Sequence, residues 1–265
     1  MPCPDKRVHL WLLLLIPLWF GCAASEPSRS LASEIATGEP HVTEGTSVSS
    51  FGMALPSGAE TVVLVHGLGR TRASMLVLYM RLSDAGYRVA NFPYNHAGDS
   101  LDEISAQLLE FIGSDAERGR YHLIGHSLGN VIIRNAFRTG YPPGLGRIVM
   151  LAPPNRPAHL AESLEGTTLY RWIAGDSGQQ LASEEFYREL PVPDVDFGVI
   201  AGDRGHSLTF DEPNDGVIAV ATTRLDGMAD FLVLHHTHTF LMNTRDTFDR
   251  CLTFLRHGRF EVREP

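Results

Sequence analysis

From Thr61 onward the chain alternates between short, unbroken apolar runs and longer stretches with an apolar residue every three or four positions. Thr61-Val62-Val63-Leu64-Val65 is continuous and mostly β-branched, the pattern of a strand buried on both faces. Residues 87–92, 121–124, 147–151, 197–201 and 231–234 repeat that pattern more briefly. Between them, 74–85 predicts a helix stopped at Gly86. Residues 101–112 predict a second, with Leu101, Ile104, Leu108, Phe111 and Ile112 at helical spacing. Residues 130–139 predict a third. Thr244 is placed to cap a last one, whose apolar face is Phe248, Cys251, Leu252 and Leu255 and which ends before Gly258. Strands alternating with helices give an α/β class: a mostly parallel sheet with helices on both faces. A site in such a sheet lies beyond the C-terminal ends of its strands.

Three stretches break the alternation. Residues 155–195 carry Leu160, Leu164, Leu169, Tyr170, Trp172 and Ile173 among polar residues, and we expect a small cap or lid insertion there. Residues 48–55 carry the pattern of an extra edge strand, so the folded domain is expected over 48–265. The preceding 25–47 are rich in Ser, Ala, Glu, Thr and Gly and read as a flexible tether. Residues 1–24 have the layout of an export signal. Lys6 and Arg7 lead into an uncharged apolar run, 10–20, which is too short to span a membrane and is followed by small residues.

Composition narrows the reading. Of 265 residues, 43% are hydrophobic and 20% charged, as in ordinary globular proteins. The formal net charge of −9, without a Lys/Arg cluster, excludes nucleic acid as an expected partner. Gly21-Cys22 stands where a bacterial lipoprotein signal has its lipidated cysteine, so Cys22 is a lipidation candidate. Trp19 and Phe20 depart from that pattern, and cleavage near Ala24 is the rival expectation. Either way the product is exported, to a bacterial cell envelope through a lipid anchor or as a secreted protein. Cys251 then remains as a buried free thiol.

The candidate chemistry centres on Gly125-His126-Ser127-Leu128-Gly129, a G-x-S-x-G sequence between the run 121–124 and the helix 130–139. A strand turning sharply into a helix crowds its backbone, which Gly125 and Gly129 tolerate for want of a Cβ. The turn exposes Ser127 Oγ where the helix directs N–H groups and partial positive charge. His66-Gly67-Leu68-Gly69 follows the first strand, and the N–H groups of Leu68 and Leu128 form a candidate two-donor oxyanion hole. Two acids compete for a third place. Asp215, in Asn214-Asp215-Gly216-Val217-Ile218, is favoured, and Asp203, just past the run 197–201, is the alternative. His235, His236 and His238 cluster after the last strand. His238 is the favoured base and His236 the alternative. No Cys, Asp or Glu accompanies that cluster at ligand spacing, so no metal and no other cofactor is expected. His126, held inside the turn, is expected to pack rather than to act as the base.

The order Ser127, Asp215, His238 and the motifs His-Gly-Leu-Gly, Gly-His-Ser-Leu-Gly and Asp-Gly-Val-Ile resemble the α/β-hydrolase superfamily over residues 60–257. Within it, these motifs look like bacterial lipases and esterases of the triacylglycerol-lipase type. The sequence departs from them in its long stretch 202–213 before the acid. The resemblance implies a serine hydrolase of small-molecule or lipid esters working through an acyl-enzyme. Acyl transfer or amide hydrolysis by the same triad, and a catalytically silent envelope protein, are the alternatives. Oligomeric state is not legible in the sequence.

Overall fold

A computed structural model of the chain describes residues 58–95, 98–116, 119–156, 184–206 and 212–261. The expected export signal, Cys22, the tether, the strand at 48–55 and most of the expected insertion lie outside the described residues. The six predicted strands are present: β1 (Thr61–Val65), β2 (Arg88–Asn91), β3 (Tyr121–His126), β4 (Leu145–Leu151), β5 (Phe197–Gly202) and β6 (Asp230–Leu234). They form one sheet in the order β2-β1-β3-β4-β5-β6, with every pairing parallel. The chain runs outward from β1 to β2 and then returns to lay β3 on the other side of β1. That reversal opens a crevice above the C-terminal ends of β1 and β3, the place where open parallel sheets carry their sites.

Helices α1 (Leu76–Asp84), α2 (Leu101–Ala116), α3 (Leu128–Ala136), α4 (Glu184–Glu189), α5 (Val220–Thr223) and α6 (Arg245–His257) complete the described elements, with short 3-10 turns at Arg72–Met75 and Leu241–Asn243. Alternation along the strands divides the core in two. Val63, Val65, Leu123 and Met150 pack with Leu108, Ile112 and Val131 of α2 and α3. Val62, Leu64, Ile124 and Val149 pack with Leu78, Leu82, Phe248 and Phe254 of α1 and α6 on the opposite face.

Local chemistry fixes the helix ends. Ser100 and Glu103 form a reciprocal capping box on α2, with Ser100 N–H donating to the Glu103 carboxylate (2.8 Å) and Glu103 N–H to Ser100 Oγ (3.3 Å). Thr244 Oγ1 caps α6 by accepting from Thr247 N–H at 3.1 Å, and Gly258 ends the helix in the left-handed region (φ 72°). β3 runs two residues further than its apolar run, because Gly125 pairs with Val65 and Met150, and His126 with Leu151. Of residues 155–195, the described return segment packs on the core. Tyr187 and Leu190 are buried in the α2–α3 layer.

Candidate active site

β3 delivers Ser127 straight from its last ladder pair into the first turn of α3. Ser127 takes φ 52° and ψ −122°, in a region that costs a non-glycine residue on the order of 1–3 kcal/mol. The surroundings over-determine it. Ser127 N–H donates to Leu151 O at 2.9 Å, and Asn130 Nδ2 donates to both Ser127 O and Leu151 O at 3.1 Å. Both elbow glycines are sterically required. A Cβ at Gly129 would press into the carbonyls of Val65 and His66, and one at Gly125 into the Asn130 amide and Ile133. Leu128 is the first residue of α3, so its N–H has no acceptor within the helix.

The turn after β1 closes onto the same spot. A Cβ on Gly67 would stand 2.9 Å from His126 Nδ1 and 3.0 Å from Ser127 Cβ. Gly67 therefore brings its backbone, and Leu68 after it, against the serine. His66 is buried beneath this turn.

Asp215 reaches the site by a detour. The residues just after β5 are tied to those just before the acid where Gly205 N–H donates to Asn214 O at 2.6 Å and Arg204 bridges Asn214. Asp215 Oδ1 accepts from Val217 N–H (3.0 Å) and Ile218 N–H (2.7 Å). Its other oxygen, Oδ2, accepts from His238 Nδ1 at 2.7 Å, with both side chains nearly inaccessible. His238 N–H also donates to Asp215 O at 2.9 Å. The other candidates part company here. Asp203 binds His235 Nδ1 at 2.9 Å in the open, and His236 lies 3.9 Å from Asp246. Each of the three clustered histidines faces a different carboxylate.

His126 links the elbow to this pair. Its Nε2 bonds His238 O at 3.1 Å, so Nε2 carries the proton, and its ring lies 4.8 Å from the His238 ring. Burial, and then the neighbouring His238, hold the His126 imidazole well below the usual histidine range, so it is neutral at physiological pH.

The sequence matches the model of the Alpha/beta hydrolase family over residues 62–183, a stretch that includes His66 and Ser127 and ends before Asp215 and His238. The matched stretch is a little under half of the chain, and the parallel sheet described above has the α/β-hydrolase fold. Solved structures agree in fold. The mature lipase BlEst2 of Bacillus licheniformis is 16% identical, matching 77% of this chain and 93% of its own at TM-score 0.59. Tomato methylketone synthase I, solved with 2-tridecanone, is 14% identical over 76% of this chain and 99% of its own at TM-score 0.53. Polyneuridine aldehyde esterase is 16% identical over 73% and 98%, at TM-score 0.51. No curated protein matches the sequence. At these identities the likeness is one of fold, and the fold serves several chemistries.

Three residues around the site are not legible in the sequence. Asn130 clamps the elbow to β4, and its signal was an amide in an otherwise apolar helix. Tyr94, just past β2, donates from its hydroxyl to His66 O at 2.7 Å, and a strand-end aromatic was the available cue. Arg134 is buried with its guanidinium on Tyr187 O, Leu190 O, Pro191 O and Asn155 Oδ1. Burial pulls it down to about 10, which still leaves it charged at neutral pH. Asn155 in turn donates to Thr223 O at 2.8 Å.

Proposed function

We propose that this α/β-hydrolase is a serine hydrolase of carboxylic esters. The observation that carries the reading is the buried Asp215–His238 pair, 2.7 Å apart and joined through His126 to the strained elbow at Ser127. In this reading His238 Nε2 removes the proton from Ser127 Oγ as the oxygen attacks the ester carbonyl. Asp215 holds the proton on Nδ1 and stabilises the imidazolium. The N–H groups of Leu68 and Leu128 receive the negative charge that develops on the carbonyl oxygen. Collapse expels the alcohol, protonated by His238, and leaves an acyl group on Ser127. Water, deprotonated by the same imidazole, then releases the acid. The contact between Ser127 and His238 is left to tighten when substrate aligns them, as nucleophile–base contacts commonly do.

The test is labelling by a fluorophosphonate together with turnover of p-nitrophenyl esters of graded chain length. Ser127→Ala should abolish labelling and lower turnover by several decades. Wild-type labelling retained in that variant would end the reading.

The enzyme is further proposed to act outside the cytoplasm, on the strength of Lys6, Arg7 and the apolar run 10–20, with Cys22 as lipid anchor. Cell fractionation checks this: Cys22→Ser should move the protein from membrane to soluble fractions.

A further inference from the structure

The Tyr94–His66 stack at the end of β2 has no part in the mechanism above. The two rings lie 4.1 Å apart and within 9° of parallel. The Tyr94 hydroxyl donates to the His66 carbonyl at 2.7 Å. His66 Nδ1 sits 2.9 Å from Gly67 O, and since a carbonyl only accepts, Nδ1 carries the proton of that bond. In a trans peptide the C=O and the following N–H point in opposite directions. No cis peptide occurs among the described residues. Holding Gly67 O on the His66 side therefore turns the Leu68 N–H the other way. Gly67 itself is pressed against Ser127, so that peptide unit lies beside the nucleophile.

We propose that Tyr94 is a positioning residue for the oxyanion amide: it clamps His66 from its ring face and its carbonyl, and His66 fixes the Gly67–Leu68 peptide so that the Leu68 N–H is pre-aimed at the developing oxyanion. The inference rests on the serine-hydrolase reading of Ser127. Tyr94 supplies His66 with two anchors that act on different groups. The hydroxyl fixes one peptide plane and the ring face fixes the imidazole that holds the next. Phe92, stacked 5.5 Å from Tyr94 and buried, keeps the Tyr94 ring in place from behind. Burial raises the Tyr94 phenol well above its usual range, so the hydroxyl stays a donor across the working pH.

An amide aimed at the transition state lowers kcat when it is loosened and leaves ground-state binding alone. The experiment compares Tyr94→Phe, which removes the hydroxyl alone, with Tyr94→Leu, which removes the stack as well. Losing a whole oxyanion donor costs about 10²–10³ in kcat. A loosened donor should cost less: about tenfold for Tyr94→Phe and on the order of a hundredfold for Tyr94→Leu, with KM within about twofold. An arylboronic acid, which forms a tetrahedral adduct on the serine, should weaken by the same factors. Fluorophosphonate labelling of the wild type and its loss in Ser127→Ala are measured first. Failure there removes the serine-hydrolase reading and this inference with it. If the wild type reacts, a kcat unchanged in Tyr94→Phe overturns the inference alone. So does a kcat loss without matching loss of boronate affinity, or a lower melting temperature with unchanged kcat. Should Tyr94→Leu fail to fold, Tyr94→Phe and the boronate comparison decide by themselves.

Discussion

Two Asp–His pairs stand at the same end of the sheet. Asp203–His235 and Asp215–His238 are each joined through Nδ1, at 2.9 Å and 2.7 Å. In both, the histidine comes at or just beyond the end of β6, and the acid after β5. They differ in what surrounds them. The Asp203 and His235 side chains are 36% and 76% accessible, those of Asp215 and His238 1% and 10%. Two backbone N–H groups occupy the second oxygen of Asp215, and His126 covers the His238 ring. An ion pair in water contributes on the order of 0–1 kcal/mol and leaves its imidazole free to turn. A buried pair with its second oxygen already bonded holds one tautomer in one orientation, which is what a general base requires. The distance does not tell the pairs apart; the enclosure does.

The largest expected effect breaks that comparison directly. Asp215→Asn should lower kcat by about 10⁴, through loss of the correct imidazole tautomer, while Asp203→Asn changes it by less than about threefold. Steady-state kinetics on a p-nitrophenyl ester gives the ranking, and the reverse order would move the acid to Asp203.

Gly202 separates the two pairs. A Cβ there would stand 2.5 Å from His236 O and 2.9 Å from Asp215 Cβ. Gly202→Ala should therefore destabilise the fold by about 1–3 kcal/mol and displace the buried pair, leaving the exposed one in place. Chemical denaturation and kcat on the same sample measure both effects, and a variant as stable and active as wild type would show that the enclosure yields.

Burial also sets the pH response. The His126 imidazole is held well below its unfolded range, so below about pH 6.5 the unfolded chain binds a proton that the folded one resists. Stability should fall as pH drops below that point. His126→Gln should flatten part of the slope in melts between neutral and mildly acidic pH. His122, lowered chiefly by its own burial, retains the rest. The smallest effect belongs to the exposed pair. His235→Ala should change stability by less than about 1 kcal/mol, as measured by chemical denaturation.

Most of the scaffold was legible in the chain, because its signals are local. The run Thr61–Val65, the capped and glycine-stopped α6, and the elbow glycines each follow from residues within one or two turns of one another. The partners of Tyr94, Asn130 and Arg134 come from segments far along the chain: His66, Leu151, and Tyr187 to Pro191. No periodicity reports such a contact. β3 was read short for a related reason. Gly125 and His126 look like turn residues until their pairing with Val65 and Leu151 is known. Asp215 and Asp203 compete in the sequence because the stretch 202–213 separates Asp215 from β5, and the Gly205–Asn214 tie that spans this stretch has no sequence signal.

The buried guanidinium of Arg134 has a consequence for how this protein could be re-engineered. Through it, Asn155 on one side and the carbonyls of Tyr187, Leu190 and Pro191 on the other are fastened to the same helix that follows Ser127. The two cut points of a transplant are thus already stitched together within the scaffold. A segment spliced between those stitches should leave the hydrogen bonds of the elbow in place, each doubling of its length adding about 0.6 kcal/mol of loop-closure entropy.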